Sequence, residues 1–164
     1  MPEPASGLVD LTAAHAAVVV GWVPTAADVV LFAGDSLVHP LTATQLVTVA
    51  SVQNRVPKVL LADSQPVAFG ALTFREDGVR LGWVVTDPDR RGRGYGRSLV
   101  TGLLEVARTA RRPVRVSLGV YEHNTVARAL YADLGFVEAG ERQHRVVDGR
   151  DWVSITLERT LSRR

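Results

Sequence analysis

At 164 residues, with 46% hydrophobic and 22% charged side chains and a formal charge of +2, the chain has the size and composition of one globular domain, expected to span residues 1–164. The absence of cysteine excludes disulfides, thiolate metal sites and a cysteine nucleophile, and four scattered histidines without H-x-x-x-H spacing predict no metal site. No apolar run approaches the ~18 residues that would span a membrane, and the start Met1-Pro2-Glu3-Pro4 lacks the pattern of a secretion signal, so a cytoplasmic protein without a membrane partner is expected.

Residues 7–11 read as a short opening strand, after which Thr12 caps a helix over 13–21 and Trp22-Val23-Pro24 breaks the chain. Thr25 caps a second helix over 26–33, stopped by Gly34, and Thr42 caps a third that runs to Gln53. Val56-Pro57 ends it, so the next strand is predicted over 58–63. After the turn Ser64-Gln65-Pro66, strands over 67–75 and 79–86 flank Glu76-Asp77-Gly78 and predict an antiparallel hairpin. The second of them stops at Asp87-Pro88, where proline cannot extend a ladder.

An arginine-glycine loop follows and opens a long helix, with Leu99, Val100, Leu103, Leu104, Val106 and Ala107 at spacings that give one buried face. Residues 114–121, V-R-V-S-L-G-V-Y, alternate at period two; a right-handed crossover predicts that this strand lies parallel to 79–86. A helix over 124–134 stopped by Gly135, a strand starting at Phe136, and a hairpin joining 143–147 to 152–157 through Asp148-Gly149 complete the chain.

In the loop, Gly92, Gly94 and Gly96 remove every other Cβ, so N–H groups at the first helical turn can converge on a small anion such as phosphate. The single lysine, Lys58, rules out a nucleoside-triphosphate loop ending in G-K-[ST], and Arg97 stands where a dinucleotide fingerprint needs its third glycine. What remains is R-x-x-G-x-G, Arg91 to Gly96. Downstream, Asn124, Ala127, Leu130, Tyr131, Gly135 and Phe136 spell N-x-x-A-x-x-L-Y-x-x-x-G-F. With both motifs in this order, the chain resembles the GNAT superfamily of N-acetyltransferases, most strongly over 67–136.

The resemblance implies an α/β (α+β) fold: a central mixed, mostly antiparallel twisted sheet of six to seven strands flanked by helices, with a strand–loop–helix acyl-CoA motif. It implies an acyltransferase that moves an acetyl group from acetyl-CoA to a primary amine by direct attack, with no metal. Amides of Arg91, Gly92, Arg93, Gly94, Tyr95 and Gly96, with Arg97 and Ser98 in the first turn, would hold the pyrophosphate, and Arg93 or Arg97 would add charge. Val84, Val85 and Thr86 would bond the pantetheine arm as an added strand does, in a gap between Val85 and Gly119. Tyr131 matches the family's proton donor to the departing thiolate, and Asn124 the helix cap that touches the pantetheine arm. The resemblance implies as acceptor a small-molecule amine or a peptide N-terminus, flanked by the first helices and last hairpin, which here supply Trp22, Phe32, His39, His144 and Trp152. An exposed edge of the terminal hairpin could pair two copies as a homodimer.

The general base stays open. Strand 79–86 carries no carboxylate, its polar residues being Arg80 and Thr86, so the glutamate common there in the family is missing; Asp35, His39, Glu122 and His123 are candidates. The need for a base depends on the acceptor: an amine of pKa ~10.4 is handicapped by roughly 4.6 kcal/mol at pH 7, an α-amine at ~7.8 by under ~1.2. The missing carboxylate also keeps a second reading alive, a non-catalytic acyl-CoA-binding sensor or interaction module. Arginines at 90, 91, 93 and 97 and at 108, 111 and 112 raise nucleic-acid binding as another. Seventeen acids and an aromatic share of 6%, with no base-reading motif, argue against it, and the second cluster suits the end of a helix dipole.

Overall fold

In the computed structural model the described residues are 7–110 and 114–162, so Arg111 and Arg112 of the second basic cluster lie outside them. Three threonines open the N-terminal helices α1 (Ala13–Val19), α2 (Ala26–Ala33) and α3 (Ala43–Ala50). Thr12, Thr25 and Thr42 each accept from the N–H three residues on, at 3.1 Å, which satisfies donors the helix itself leaves bare. In α2 the Asp28 carboxylate returns the bond, accepting from Thr25 N at 3.2 Å. Helix α3 stops at Ala50, short of the expected Gln53, where Ser51 Oγ donates to Val47 O at 2.6 Å.

Strand β1 is Gly7–Asp10 and β2 is Arg55–Ala62, which begins three residues before the expected start and runs through Pro57. Pro57 pairs with Ala71 on one side, while pairing with β1 begins only at Lys58, so the proline sits where β2 has a free edge and its missing N–H breaks no ladder on that side. Then come β3 (Gln65–Arg75), β4 (Gly78–Thr86), the long helix α4 (Tyr95–Ala110) and β5 (Val114–Tyr121). Helix α5 (Thr125–Asp133), the two-residue β6 (Val137–Glu138), β7 (Gln143–Val147) and β8 (Arg150–Leu161) close the chain. All eight strands of the described residues join one sheet in the order β1-β2-β3-β4-β5-β8-β6, with β7 also on β8; the short β6 carries the number past six to seven. Every pairing is antiparallel except β4 with β5.

Each face of the sheet has its own core. Under α4 and α5, Leu99 and Leu103 meet Leu72, Leu81, Leu118 and Ile155, all fully buried; on the other face α1 to α3 bring Val19, Val29, Phe32 and Leu46 against Phe69 and Trp83. Each such side chain contributes roughly 1.5–3 kcal/mol of burial. No single helix among the described residues is long and apolar enough to cross a membrane; the bent pair Ala13–Trp22 and Ala26–Ala33 has the length and composition, but Ala16, Val19, Val29 and Phe32 spend their apolar surface in this core.

Strand β4 changes faces partway. Phe69 pairs with Val85 and Ala71 with Gly82, so Trp83 and Val84 together oppose Gly70 alone, and Trp83 takes φ +56°. This bulge turns the period: Val79 and Leu81 belong to the core under α4, whereas Trp83 belongs to the core under α1 to α3. A bulky residue in left-handed backbone costs on the order of 1–3 kcal/mol, and Trp83 is held there by Phe32, with ring centroids 6.3 Å apart, and by the Arg55 guanidinium 4.3 Å above its ring.

Candidate active site

Strands β4 and β5 are paired only at Val79–Val116 and Arg80–Ser117. Past that point they separate, and a groove of about 510 Å³ opens between them, with Val84, Val85 and Thr86 on one wall and Leu118, Gly119 and Val120 on the other. The main chain of β4 is satisfied toward β3, through pairs such as Val85–Phe69 and Thr86–Ala68, so its groove edge is free to bond an extended ligand.

At the open end stands the loop. Asp87 Oδ1 accepts from Asp89 N at 3.0 Å and closes a 3₁₀ turn over Pro88–Arg90. Gly92 and Gly94 then take φ +78° and +81°; a Cβ at either would meet nothing within 4 Å, so it is backbone conformation that demands glycine there, not space. A Cβ at Gly96 would find ordinary contacts at 3.6 Å with Leu130 and Thr86. The first ladder bond of α4 runs from Ser98 N to Gly94 O at 3.0 Å, which leaves the N–H groups of Tyr95, Gly96 and Arg97 ahead of the ladder at the positive end of the helix dipole. Arg91, Gly92, Gly94, Tyr95, Gly96 and Arg97 line the groove, joined by Arg90; the exposed Arg93 and Ser98 do not. Arg97 shares its charge with Asp133, 2.9 Å away. These features suit a diphosphate.

The second motif is a helix with both ends capped. Asn124 Oδ1 accepts from Ala127 N at 3.3 Å, and at the far end Phe136 N donates to Tyr131 O and Gly135 N to Ala132 O, each at 3.0 Å, with Gly135 at φ +85°. That is a Schellman stop, whose accompanying apolar contact is here Phe136 edge-on to the Tyr131 ring, centroids 5.8 Å apart. The motif's Gly135 and Phe136 therefore fix Tyr131, which is 6% exposed and, with Asn124, lines the groove. Burial pushes the phenol well above its ordinary value, so it stays protonated and can donate but not act as a base.

Residues 38–136 match the model of the acetyltransferase (GNAT) family. The chain belongs to that family. Over 85 residues this GNAT chain is 38% identical to the ribosomal protein bS18-alanine N-acetyltransferase of Salmonella typhimurium, a match covering 52% of the chain and 57% of that curated relative's length. Its fold is similar to that of the ribosomal-protein-alanine N-acetyltransferase of Brucella melitensis, with a TM-score of 0.78 and 21% identity over 94% of this chain and 99% of that one. It is also similar to an acetyltransferase of Salmonella typhimurium solved with its cofactor acetyl-CoA, with a TM-score of 0.75 and 15% identity over 98% and 96% of the two chains.

Of the aromatic and histidine residues expected around the acyl end of this GNAT site, Trp22 and Phe32 line the groove; His39, His144 and Trp152 do not. His144 Nδ1 lies 2.7 Å from Asp151, and Trp152 packs on His123 and Tyr121 at centroid distances of 4.5 and 5.0 Å. The base candidates Asp35, His39, Glu122 and His123 are outside the groove as well, Asp35 bound to Arg145 at 2.6 Å and Glu122 to Arg142 at 3.1 Å. The groove's one carboxylate among the described residues is Asp28, missed in the sequence because its capping role hides it. A second, smaller cavity of about 220 Å³ adjoins the groove, sharing Phe32, Gly82, Trp83 and Gly119, and holds Arg55, Arg75 and Arg80. Of these arginines only Arg75 and Arg80 fell inside expected strands; Arg55 lay ahead of the strand expected from residue 58.

Proposed function

We propose that this protein transfers an acetyl group from acetyl-CoA to a primary amine. The observation that supports this is one groove that joins the bare amides of α4, the free edge of β4 and the buried hydroxyl-bearing ring of Tyr131. Loop amides with Arg90 and Arg91 bind the diphosphate, and Val84, Val85 and Thr86 orient the pantetheine arm through main-chain bonds. The unprotonated amine nitrogen attacks the thioester carbonyl carbon; the C–N bond forms, the C–S bond breaks, Tyr131 gives its proton to the sulfur, and the proton shed by nitrogen goes to solvent, from which Tyr131 is replenished. Asp28, the groove's one carboxylate among the described residues, is engaged in capping α2 through Thr25 N, which favours acceptors whose amine is neutral near pH 7.

The test is acetyl-CoA binding by thermal shift, together with thiol release across a panel of amines. Binding with turnover, slowed in Tyr131→Phe without loss of acetyl-CoA affinity, is the expected result. Absence of acetyl-CoA binding overturns the proposal; binding without turnover across peptides, polyamines and amino acids marks a CoA-binding module instead.

A further inference from the structure

The smaller cavity carries an unusual charge pattern. Arg55, Arg75 and Arg80 line it, and no Asp or Glu does among the described residues. Arg55 is fixed, donating to Val49 O at 2.7 Å and to Thr73 Oγ1 at 3.1 Å while its face covers Trp83. Arg80 is different. It is half-buried, rises from the last position at which β4 pairs with β5, and folds across to β5, where its Nη2 lies 2.8 Å from the point a Cβ on Gly119 would occupy. Among the described residues no carboxylate is within ion-pair range of it. Burial first, and then the charge of Arg75, disfavour its cation, yet a guanidinium does not give up its proton in water near neutral pH. A desolvated cation without a counter-ion is costly, and an incoming anion offsets that cost.

We infer that the acceptor is a small amine bearing a carboxylate, of the amino-acid class, whose carboxylate is held by the Arg80 guanidinium at the fork of β4 and β5 while its nitrogen enters the groove past Gly119. The inference rests on the acetyltransferase reading above. A planar fork of N–H donors matches a carboxylate in a way a lysine cannot. Size points the same way: about 220 Å³ is less than a drug-sized ligand fills, and suits a molecule of a few heavy atoms rather than a folded or extended polymer. Polyamines, in contrast, would meet like charge.

The experiment compares free amino acids with their α-amides, and with polyamines and peptides of free N-terminus, as acceptors for the full chain with acetyl-CoA. The carboxylate forms are expected to exceed their amides at least 10-fold in kcat/KM, with the ratio falling toward one in Arg80→Gln and partly restored in Arg80→Lys. A second measurement needs neither turnover nor a variant: titration of N-acetyl amino acids and of their amides into the protein–CoA complex, where the carboxylates bind and the amides do so at least 10-fold more weakly. Amides, polyamines or peptides that match or surpass the amino acids, or a complex to which neither acetylated class binds, would overturn the inference while acetyl-CoA binding stands. Failure to bind acetyl-CoA is a separate result that removes the acetyltransferase reading beneath it.

Discussion

Arg80 and Gly119 share one volume: the guanidinium of the first occupies space that any side chain at the second would claim, 2.8 Å from a Cβ built there. Nothing in the backbone forbids alanine at 119, and the obstructing atom is the far end of a flexible side chain. Gly119→Ala is therefore expected to cost only about 1 kcal/mol, a melting-point loss of about 2–4 °C for a chain of this size. The displaced guanidinium should instead appear as a raised KM for carboxylate-bearing acceptors with acetyl-CoA affinity retained, measured by steady-state kinetics beside a thermal melt.

Tyr131→Phe keeps the ring against Phe136 and removes only the hydroxyl. Since general acids contribute typically 10²–10⁴-fold, kcat should fall about 100-fold while the acetyl-CoA Kd is unchanged. A variant that turns over at the wild-type rate would strip Tyr131 of its role.

The same phenol predicts an alkaline liability. Its value is raised in the folded state by burial, so the unfolded chain loses this proton first as pH rises. The stabilising contribution is complete below the unfolded value of about 10 and drains away above it, toward the higher folded value. Urea midpoints measured from pH 8 to 11 should decline at the upper end, and less steeply in Tyr131→Phe.

Gly94→Ala forces a side chain into left-handed backbone at φ +81° without touching any neighbour within 4 Å. The expected loss of stability is about 1 kcal/mol. Acetyl-CoA affinity should fall about 10-fold, because the loop can relax only by turning its amides away; calorimetric titration separates the two effects.

Much of this was legible in the residues. Threonine caps, the proline stop at 88, the glycine loop and the motif from Asn124 to Phe136 act over a few residues, and short-range chemistry is what a sequence displays. The parallel β4–β5 crossover followed from handedness alone. The bulge at Trp83 was not legible, since residues 81 to 85 carry no polar side chain to mark a face and only long-range packing against Phe32 and Arg55 selects the face each side chain takes. The arginine cavity was hidden for a related reason: Arg55, Arg75 and Arg80 come from three strands and meet only after the sheet is built. Pro57 misled by suggesting a boundary, because a free edge tolerates what a central ladder does not.

Two residue pairs, Val79–Val116 and Arg80–Ser117, make up the whole ladder between β4 and β5. Past those pairs the inner borders of β4 and β5 lack a ladder partner although one core under α4 spans both, and open strand borders recruit stray strands. A pantetheine arm lying in that cleft would act as a ninth, removable strand. Cosubstrate would then guard the chain against self-association as well as feed its chemistry, and the chain stored without it should associate more readily than the chain stored with it.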